Sequence, residues 1–357
     1  MIRRNQTKYL LAPQSEFYDS MGAHWKPFIM FNDGSNIRSR YCNTDKDGLR
    51  YNNYNDKINI SNSIFEQELD QNKKNAIITG GSLAFGEAAT SDSKTIASFL
   101  SRESNYNFIN LAGRGFTGYQ EIITFMSHIN KIKNIKKVII FSGLNDLVLS
   151  KYIKNYDEVY GPIYGYDKFI AKMKEAAGWK KQVFKFIFGK FFDSNTNWNE
   201  INALTWRKEL FKKKKEINKI IDNDEKLEKT LDRNLMIWST ISKGMNLSID
   251  YVLQPTSIWQ EKILSNEEEK IFKEADNRKF SEIKKIYKSV TLDKYNYLKK
   301  LLQSLTKKYN INFIDCNAVL KNKYLKDYIY VDRVHMNDVG FQLISQELIR
   351  NLSLNTK

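Results

Sequence analysis

An apolar run that ends on two glycines and a serine constrains this chain more than any other feature. Ala76-Ile77-Ile78-Thr79 has the pattern of a strand buried on both faces, and Gly80-Gly81-Ser82-Leu83-Ala84-Phe85-Gly86 follows at once. A strand with no polar alternation must be covered above and below, so the fold has to be layered. The glycines allow a tight turn and let a substrate carbonyl come close to the backbone. A serine on such a turn, at the C-terminal end of a buried parallel strand, sits where α/β folds carry their chemistry.

The rest of the chain supports that architecture. Phe108-Ile109-Asn110-Leu111, Val138-Ile139-Ile140-Phe141, Tyr251-Val252-Leu253 and Phe313-Ile314-Asp315 read as further short buried strands. Between them lie helical periods, such as Ile122, Met126, Ile129 and Ile132. Alternating strand and helix predicts a parallel sheet covered on both faces. Residues 1–74 stand apart as an irregular or β extension before a main domain over 75–357. In the extension, Asp33-Gly34 lies between Phe28–Phe31 and Ile37–Tyr41 as a hairpin turn would. The span from about 151 to 244 interrupts the alternation. Its helical stretches around Lys212 to Trp238 and its aromatics Trp179, Phe184, Phe186, Phe188, Phe191, Phe192, Trp198 and Trp206 read as an inserted helical cap over the sheet's C-terminal edge.

Charge and cysteine content narrow the function classes. A formal net charge of +16 raises polyanions and anionic membrane surfaces as partners, against the plainer reading of a Lys/Asn/Ile-rich composition. The run Lys212 to Lys215 reads as the solvated face of a helix, and with no recognised binding motif no nucleic-acid partner is expected. Residues 179–192, with Lys180, Lys181, Lys185 and Lys190 interleaved, either pack the cap onto the core or lie peripherally on an anionic membrane. Cys42 and Cys316 have no metal-ligand spacing and suit a reducing compartment. The apolar piece Tyr9–Ala12, stopped by Pro13, is shorter than a signal-peptide core, and no run reaches membrane-spanning length, so a cytoplasmic location is expected.

Three more blocks join the first: Asn110-Leu111-Ala112-Gly113-Arg114-Gly115-Phe116-Thr117, Ser142-Gly143-Leu144-Asn145-Asp146, and Asp332-Arg333-Val334-His335-Met336-Asn337-Asp338-Val339-Gly340. In this order they resemble the SGNH superfamily of hydrolases, the GDSL esterases and lipases, over 76–146 and 251–349. The resemblance implies a flavodoxin-like three-layer α/β/α sandwich with a parallel sheet, here with the helical cap added. It implies a catalytic triad of Ser82, Asp332 and His335, an oxyanion hole of the Ser82 and Gly115 N–H groups with the Asn145 amide, and no metal or cofactor. The residue types suit acyl transfer. A serine needs a base to take its proton, and an imidazole titrates near neutrality and can return it to the leaving alkoxide. A carboxylate three residues before the histidine can hold the other ring nitrogen.

Gly81 stands where the family usually carries Asp, which bears on the loop's hydrogen bonding and not on the triad. Gly-Gly-Ser continuing to Phe85-Gly86 looks like a bacterial subgroup linked to surface-carbohydrate modification, and Leu253-Gln254-Pro255 and Asn43–Arg50 are similar to its segments. The expected activity is therefore hydrolysis of an O-acyl ester, acetyl in the favoured form, on a carbohydrate or related small molecule. An O-acyltransferase using the same triad is the alternative, and a catalytically idle carbohydrate-binding protein of the same fold is the third reading. His24 and His128 read as structural, Asp338 as a helix cap, Asp146 as a loop organiser and Arg114 as solvated.

Overall fold

A computed structural model describes residues 6–26, 28–52, 63–153, 156, 158–165, 201–202, 223–277, 289–324 and 326–355. Its centre is a five-stranded parallel sheet built from β3 (Lys74–Gly80), β4 (Tyr106–Asn110), β5 (Ile135–Ser142), β7 (Ser248–Leu253) and β8 (Asn312–Asp315), in the order β4-β3-β5-β7-β8. Each of the five apolar runs singled out in the sequence lies in or overlaps one of these strands. The sheet separates two apolar layers, as continuous apolar strands require. Ala76, Ile78, Phe108, Ile139 and Phe141 face a layer with Phe99, Phe341 and Ile344. Ile77, Ile109, Val138 and Ile140 face the other, with Phe125, Trp238, Leu298 and Leu302. This is the expected three-layer α/β/α sandwich, with the flavodoxin-like strand order.

The crossover from β5 to β7 ends in the helix Asp224–Met245, which buries Leu227, Leu231, Leu235 and Trp238 against the second layer. The C-terminal part of the span assigned to the cap therefore includes a flanking helix of the sandwich itself. The aromatic stretch 179–192 and the run Lys212 to Lys215 lie outside the described residues. The helix after β4 runs Gly118–His128 and buries Ile122 and Phe125, whereas Met126 is exposed. The expected stripe thus turns by one position, because Phe125 and not Met126 meets Trp238, with ring centroids 5.1 Å apart.

The amino-terminal residues are more ordered than an irregular extension. Helices Gln6–Leu11 and Gln14–Ser20 precede an antiparallel pair, β1 (Gly22–Lys26) and β2 (Met30–Asp33), and β1 also pairs with β6 (Ile201–Asn202). Asp33-Gly34 stands at the end of β2 and does not form the hairpin turn, since β1 and β2 pair from Lys26 and Met30 outward. This region is tied to the sandwich by two buried arginines. Arg50, fully buried, donates from Nε to Asp92 at 2.8 Å, from Nη1 to the Gly86 carbonyl at 2.7 Å and from Nη2 to the Tyr41 carbonyl at 2.6 Å. Arg114, read as solvated, instead donates from Nε to Asp33 at 2.5 Å and from Nη1 to the Tyr18 carbonyl at 2.8 Å, with its side chain 11% exposed. A guanidinium offers donors in several directions, so each arginine joins segments that no apolar contact could bridge.

No helix among the described residues is long and apolar enough to cross a membrane. Removing Arg50 would leave the Asp92 charge without its guanidinium partner and take a donor from the Phe85, Gly86 and Tyr41 carbonyls, of which Gly86 keeps the Ala89 N–H and Tyr41 the Tyr18 hydroxyl. Arg50→Met should therefore lower stability by about 3–5 kcal/mol in a denaturant titration. The pair is coupled, so Arg50→Met/Asp92→Asn should cost less than the sum of the single changes.

Candidate active site

Three loops meet at the C-terminal edge of the sheet around its switch point. β3 ends at Gly80, whose φ is +150°, and an added Cβ there would stand 2.1 Å from the Phe141 carbonyl oxygen of β5. The chain turns directly into the helix Ser82–Phe85, so the Ser82 N–H belongs to the first turn and has no intrahelical acceptor. That helix closes with Gly86 at φ +91°. The Gly86 N–H bonds to the Leu83 carbonyl at 3.1 Å and the Glu87 N–H to the Ser82 carbonyl at 2.9 Å. This is the paired closure of a Schellman motif, and it folds Glu87 back beside Ser82.

The loop 329–337 is held from below by Glu268. Its Oε1 accepts from the Ile329 and Tyr330 N–H groups at 3.1 and 2.9 Å, while Lys262 pairs with its Oε2 at 2.7 Å. Within the loop, Asp332 Oδ1 accepts from the Val334 and His335 N–H groups at 2.9 and 2.8 Å, which fixes the carboxylate before it meets any side chain. His335 Nδ1 lies 2.9 Å from Asp332 Oδ2, and its Nε2 lies 2.7 Å from Ser82 Oγ. With a carboxylate at Nδ1, that nitrogen carries the proton, and Nε2 is free to accept from the serine hydroxyl. Ser82, His335 and Asp332 thus form one hydrogen-bonded line, although Ser82 and His335 are 253 residues apart in sequence.

Asn145 reaches the same place from the start of the helix Leu144–Ser150, its Nδ2 donating to the Phe116 carbonyl at 2.7 Å. A Cβ built on Gly81 would lie 2.6 Å from that Nδ2. The absence of a side chain at Gly81 therefore has a steric reason: the Asn145 amide occupies the room one would need. Gly115 lies in the loop after β4 with φ +78°, and a Cβ there would meet the Tyr164 ring at 2.9 Å. Tyr164 belongs to the first residues beyond β5 and its helix, and it packs with Phe31, Phe116 and Ile163. The residues expected to form the oxyanion site are thus carried on three neighbouring loops.

Two charged groups at this site do not figure among the residues expected from the sequence. Lys8 Nζ, from the helix Gln6–Leu11, sits 3.2 Å from Asp332 Oδ2 and 3.8 Å from Asp19. The helix is docked there by Glu274, whose carboxylate accepts from the Gln6 and Thr7 N–H groups at 2.9 and 2.7 Å. A separation of 324 residues hides the Lys8 contact from any local pattern. Glu87 Oε2 lies 3.5 Å from His335 Nε2. A signal for it did exist, since a glycine four residues after the serine announces a helix closure that returns the next side chain.

Charge sets the proton affinities. Burial would raise the Asp332 carboxyl, but His335, Lys8 and the hydrogen bonds hold it well below the usual carboxylate range. Burial would lower the His335 imidazole, yet the charges of Asp332 and Glu87 and the bond to Asp332 raise it overall, while Lys8 pulls it back. Behind Asn145 two buried acids lie close. Burial and the neighbouring Asp146 push Glu121 up to about 8, despite its bond from Ser142. Burial likewise lifts Asp146 to about 6, although it accepts from the Gly118 N–H at 3.2 Å. Asp146 thus ties the helix Leu144–Ser150 to the first residue of the helix Gly118–His128. The N-cap of the helix Asp338–Asn351 is Asn337, whose side chain accepts from the Gly340 N–H at 3.0 Å, and not Asp338, which accepts from the Thr90 N–H at 2.9 Å. His128 ends its helix with Nδ1 2.8 Å from the Thr124 carbonyl, and His24 lies in β1. Among the described residues no three His, Cys, Asp or Glu side chains are grouped to hold a metal ion.

No family model and no curated protein matches the chain. Among solved structures it is similar to a member of the lipolytic G-D-S-L family from Veillonella parvula, at 11% identity and a TM-score of 0.41, covering 78% of this chain and 98% of that one. It is similar to an acetyl xylan esterase at 12% identity and a TM-score of 0.38, covering 78% and 99%. A salicylyl-acyltransferase from a tetracycline biosynthetic pathway matches at 13% identity and a TM-score of 0.40, covering 80% and 55%.

Two outcomes follow from this geometry. Gly81→Ala presses on the far end of a flexible side chain, so the fold should hold while the Asn145 amide is displaced. If that amide binds an oxyanion, kcat should fall by about 10²–10³-fold with little change in KM or in melting temperature. Lys8→Met removes a positive charge that disfavours the imidazolium. The acid limb of the kcat/KM profile, where His335 loses its proton, should move to higher pH, and Lys8→Arg should return it.

Proposed function

We propose that this protein is a serine esterase of the SGNH type acting through an acyl-enzyme, with Ser82, His335 and Asp332 as its triad. The observation that carries the reading is the unbroken line from Ser82 Oγ through His335 to Asp332, at 2.7 and 2.9 Å, on the C-terminal edge of a parallel sheet. As Ser82 Oγ attacks the ester carbonyl carbon, its proton passes to His335 Nε2. Asp332 stabilises the imidazolium through Nδ1–H. The carbonyl electron pair moves onto oxygen, which takes hydrogen bonds from the Ser82 and Gly115 N–H groups and the Asn145 amide. Collapse expels the alkoxide, which leaves with the Nε2 proton. A water then attacks the acyl-enzyme, gives its proton to Nε2, and releases the acid as Ser82 regains its hydrogen.

The substrate in this reading is a small acyl ester, acetyl in the favoured form, on a carbohydrate. The similarity of Gly80-Gly81-Ser82 through Phe85-Gly86 to the carbohydrate-modifying subgroup supports it. A sugar hydroxyl in place of the water would make the same machinery a transferase.

The purified protein should release acetate from small acetyl esters and be labelled at Ser82 by a fluorophosphonate. Ser82→Ala should abolish labelling, and Ser82→Ala and His335→Ala should each lower kcat by about 10⁴–10⁶-fold without unfolding. The double change should cost little more than either alone. Near-normal turnover in His335→Ala would refute the assignment. Including a free sugar acceptor and measuring acetyl-sugar against acetate separates transfer from hydrolysis.

A further inference from the structure

Glu87 has no part in the mechanism just described, yet its carboxylate faces the atom that performs the proton transfers. Its side chain is 8% exposed and its Oε2 lies 3.5 Å from His335 Nε2, the nitrogen that also holds Ser82 Oγ at 2.7 Å. The nearby Arg114 spends its guanidinium on Asp33 and on the Tyr18 and Met21 carbonyls. Among the described residues, no hydrogen bond reaches the Glu87 side chain within normal donor distance. In the resting site Nε2 accepts from Ser82 and carries no proton, so it offers Glu87 no donor either. With no protein donor on it, this nearly buried carboxylate is open to a hydrogen bond from whatever occupies the site.

The position of Glu87 indicates which part of a substrate supplies it. The leaving oxygen of an ester must come within about 2.6–3.2 Å of Nε2 to collect its proton. A hydroxyl on the adjacent carbon then falls beside Glu87. We propose that Glu87 recognises the alcohol half of the ester by accepting a hydrogen bond from a hydroxyl vicinal to the acylated oxygen, so that the substrates are partial esters of polyols. This rests on the esterase reading and deepens it by assigning the alcohol side. An apolar alcohol would seal the carboxylate away from water without a donor, and an anionic one would be repelled. Both should therefore be poor substrates.

The test compares two acetyl esters of similar size, glycerol 1-monoacetate, which keeps a vicinal hydroxyl, and propyl acetate, which has none. The wild-type chain should favour the glycerol ester in kcat/KM. Glu87→Leu should lower that preference by roughly 10-fold or more, the scale of one stranded hydrogen-bonding group. Glu87→Gln should retain part of the preference, because its amide oxygen still accepts. The groups facing Glu87 and His335 are Asp332, Lys8, Asp33 and Arg114, and none of them changes in these variants. Loss of the Glu87 charge should therefore also move the acid limb of the pH profile down. Fluorophosphonate labelling of Ser82 in each variant reports an intact site. An unchanged ester preference, with or without the pH shift, would overturn the proposal and leave Glu87 as an electrostatic neighbour of His335. If the wild-type chain hydrolyses neither ester and Ser82 resists the probe, the esterase reading itself has failed, and this proposal with it.

Discussion

The near-contact between Gly80 and the Phe141 carbonyl is the constraint on which the site depends. Where β3 and β5 run side by side, even a methyl group at position 80 would collide with the neighbouring backbone at 2.1 Å. This closeness lets the chain turn from strand to helix at once and places Ser82 beside the loop that carries Asn145. Gly81 is constrained more softly, since a Cβ there would meet the Asn145 amide, the movable end of a side chain, at 2.6 Å. Gly80 is thus required both for space and for its backbone angle, and Gly81 for the room the amide takes. Arg50 then fixes the far end of the short helix by binding the Phe85 and Gly86 carbonyls at 3.3 and 2.7 Å.

Around this frame the charges alternate. Lys8, Asp332, His335 and Glu87 form a row in which each ionisable group faces one of opposite or complementary sign. Lys8 and Glu87 act on His335 in opposite senses, Glu87 raising the imidazole and Lys8 lowering it. The same row gives the first helix of the chain a functional place. Lys8 completes the environment of an aspartate near the other end of the chain, held there by Glu274 capping its own helix.

The sheet was legible because burial on both faces leaves runs such as Ile77-Ile78 and Ile139-Ile140 that no exposed element would carry. The expectation that Ser82, Asn145, Asp332 and His335 come together rested on the resemblance of their blocks to the SGNH hydrolases, and the structure brings Ser82, His335 and Asp332 into one hydrogen-bonded line. What escaped was decided by contacts distant in sequence. Arg114 looks like a surface residue until Asp33, 81 residues away, closes on it. The Lys8 contact with Asp332 and the exposure of Met126 depend on docking that no local period encodes. Asn337 precedes Asp338, and both are good caps, so only the backbone geometry distinguishes them. Glu87 is the exception, since the Gly86 closure made its return beside Ser82 a local event.

In the proposed reaction Ser82 carries the acyl group between two half-reactions, and rapid acid quench during turnover of an activated acetyl ester, followed by mass analysis of the peptide containing residue 82, detects it there. A burst of released alcohol matching the enzyme concentration is expected, with one acetyl group on Ser82 that decays at the steady-state rate. Release of alcohol and acetate together with no burst and an unmodified Ser82, or an acetyl group on another residue, would contradict it.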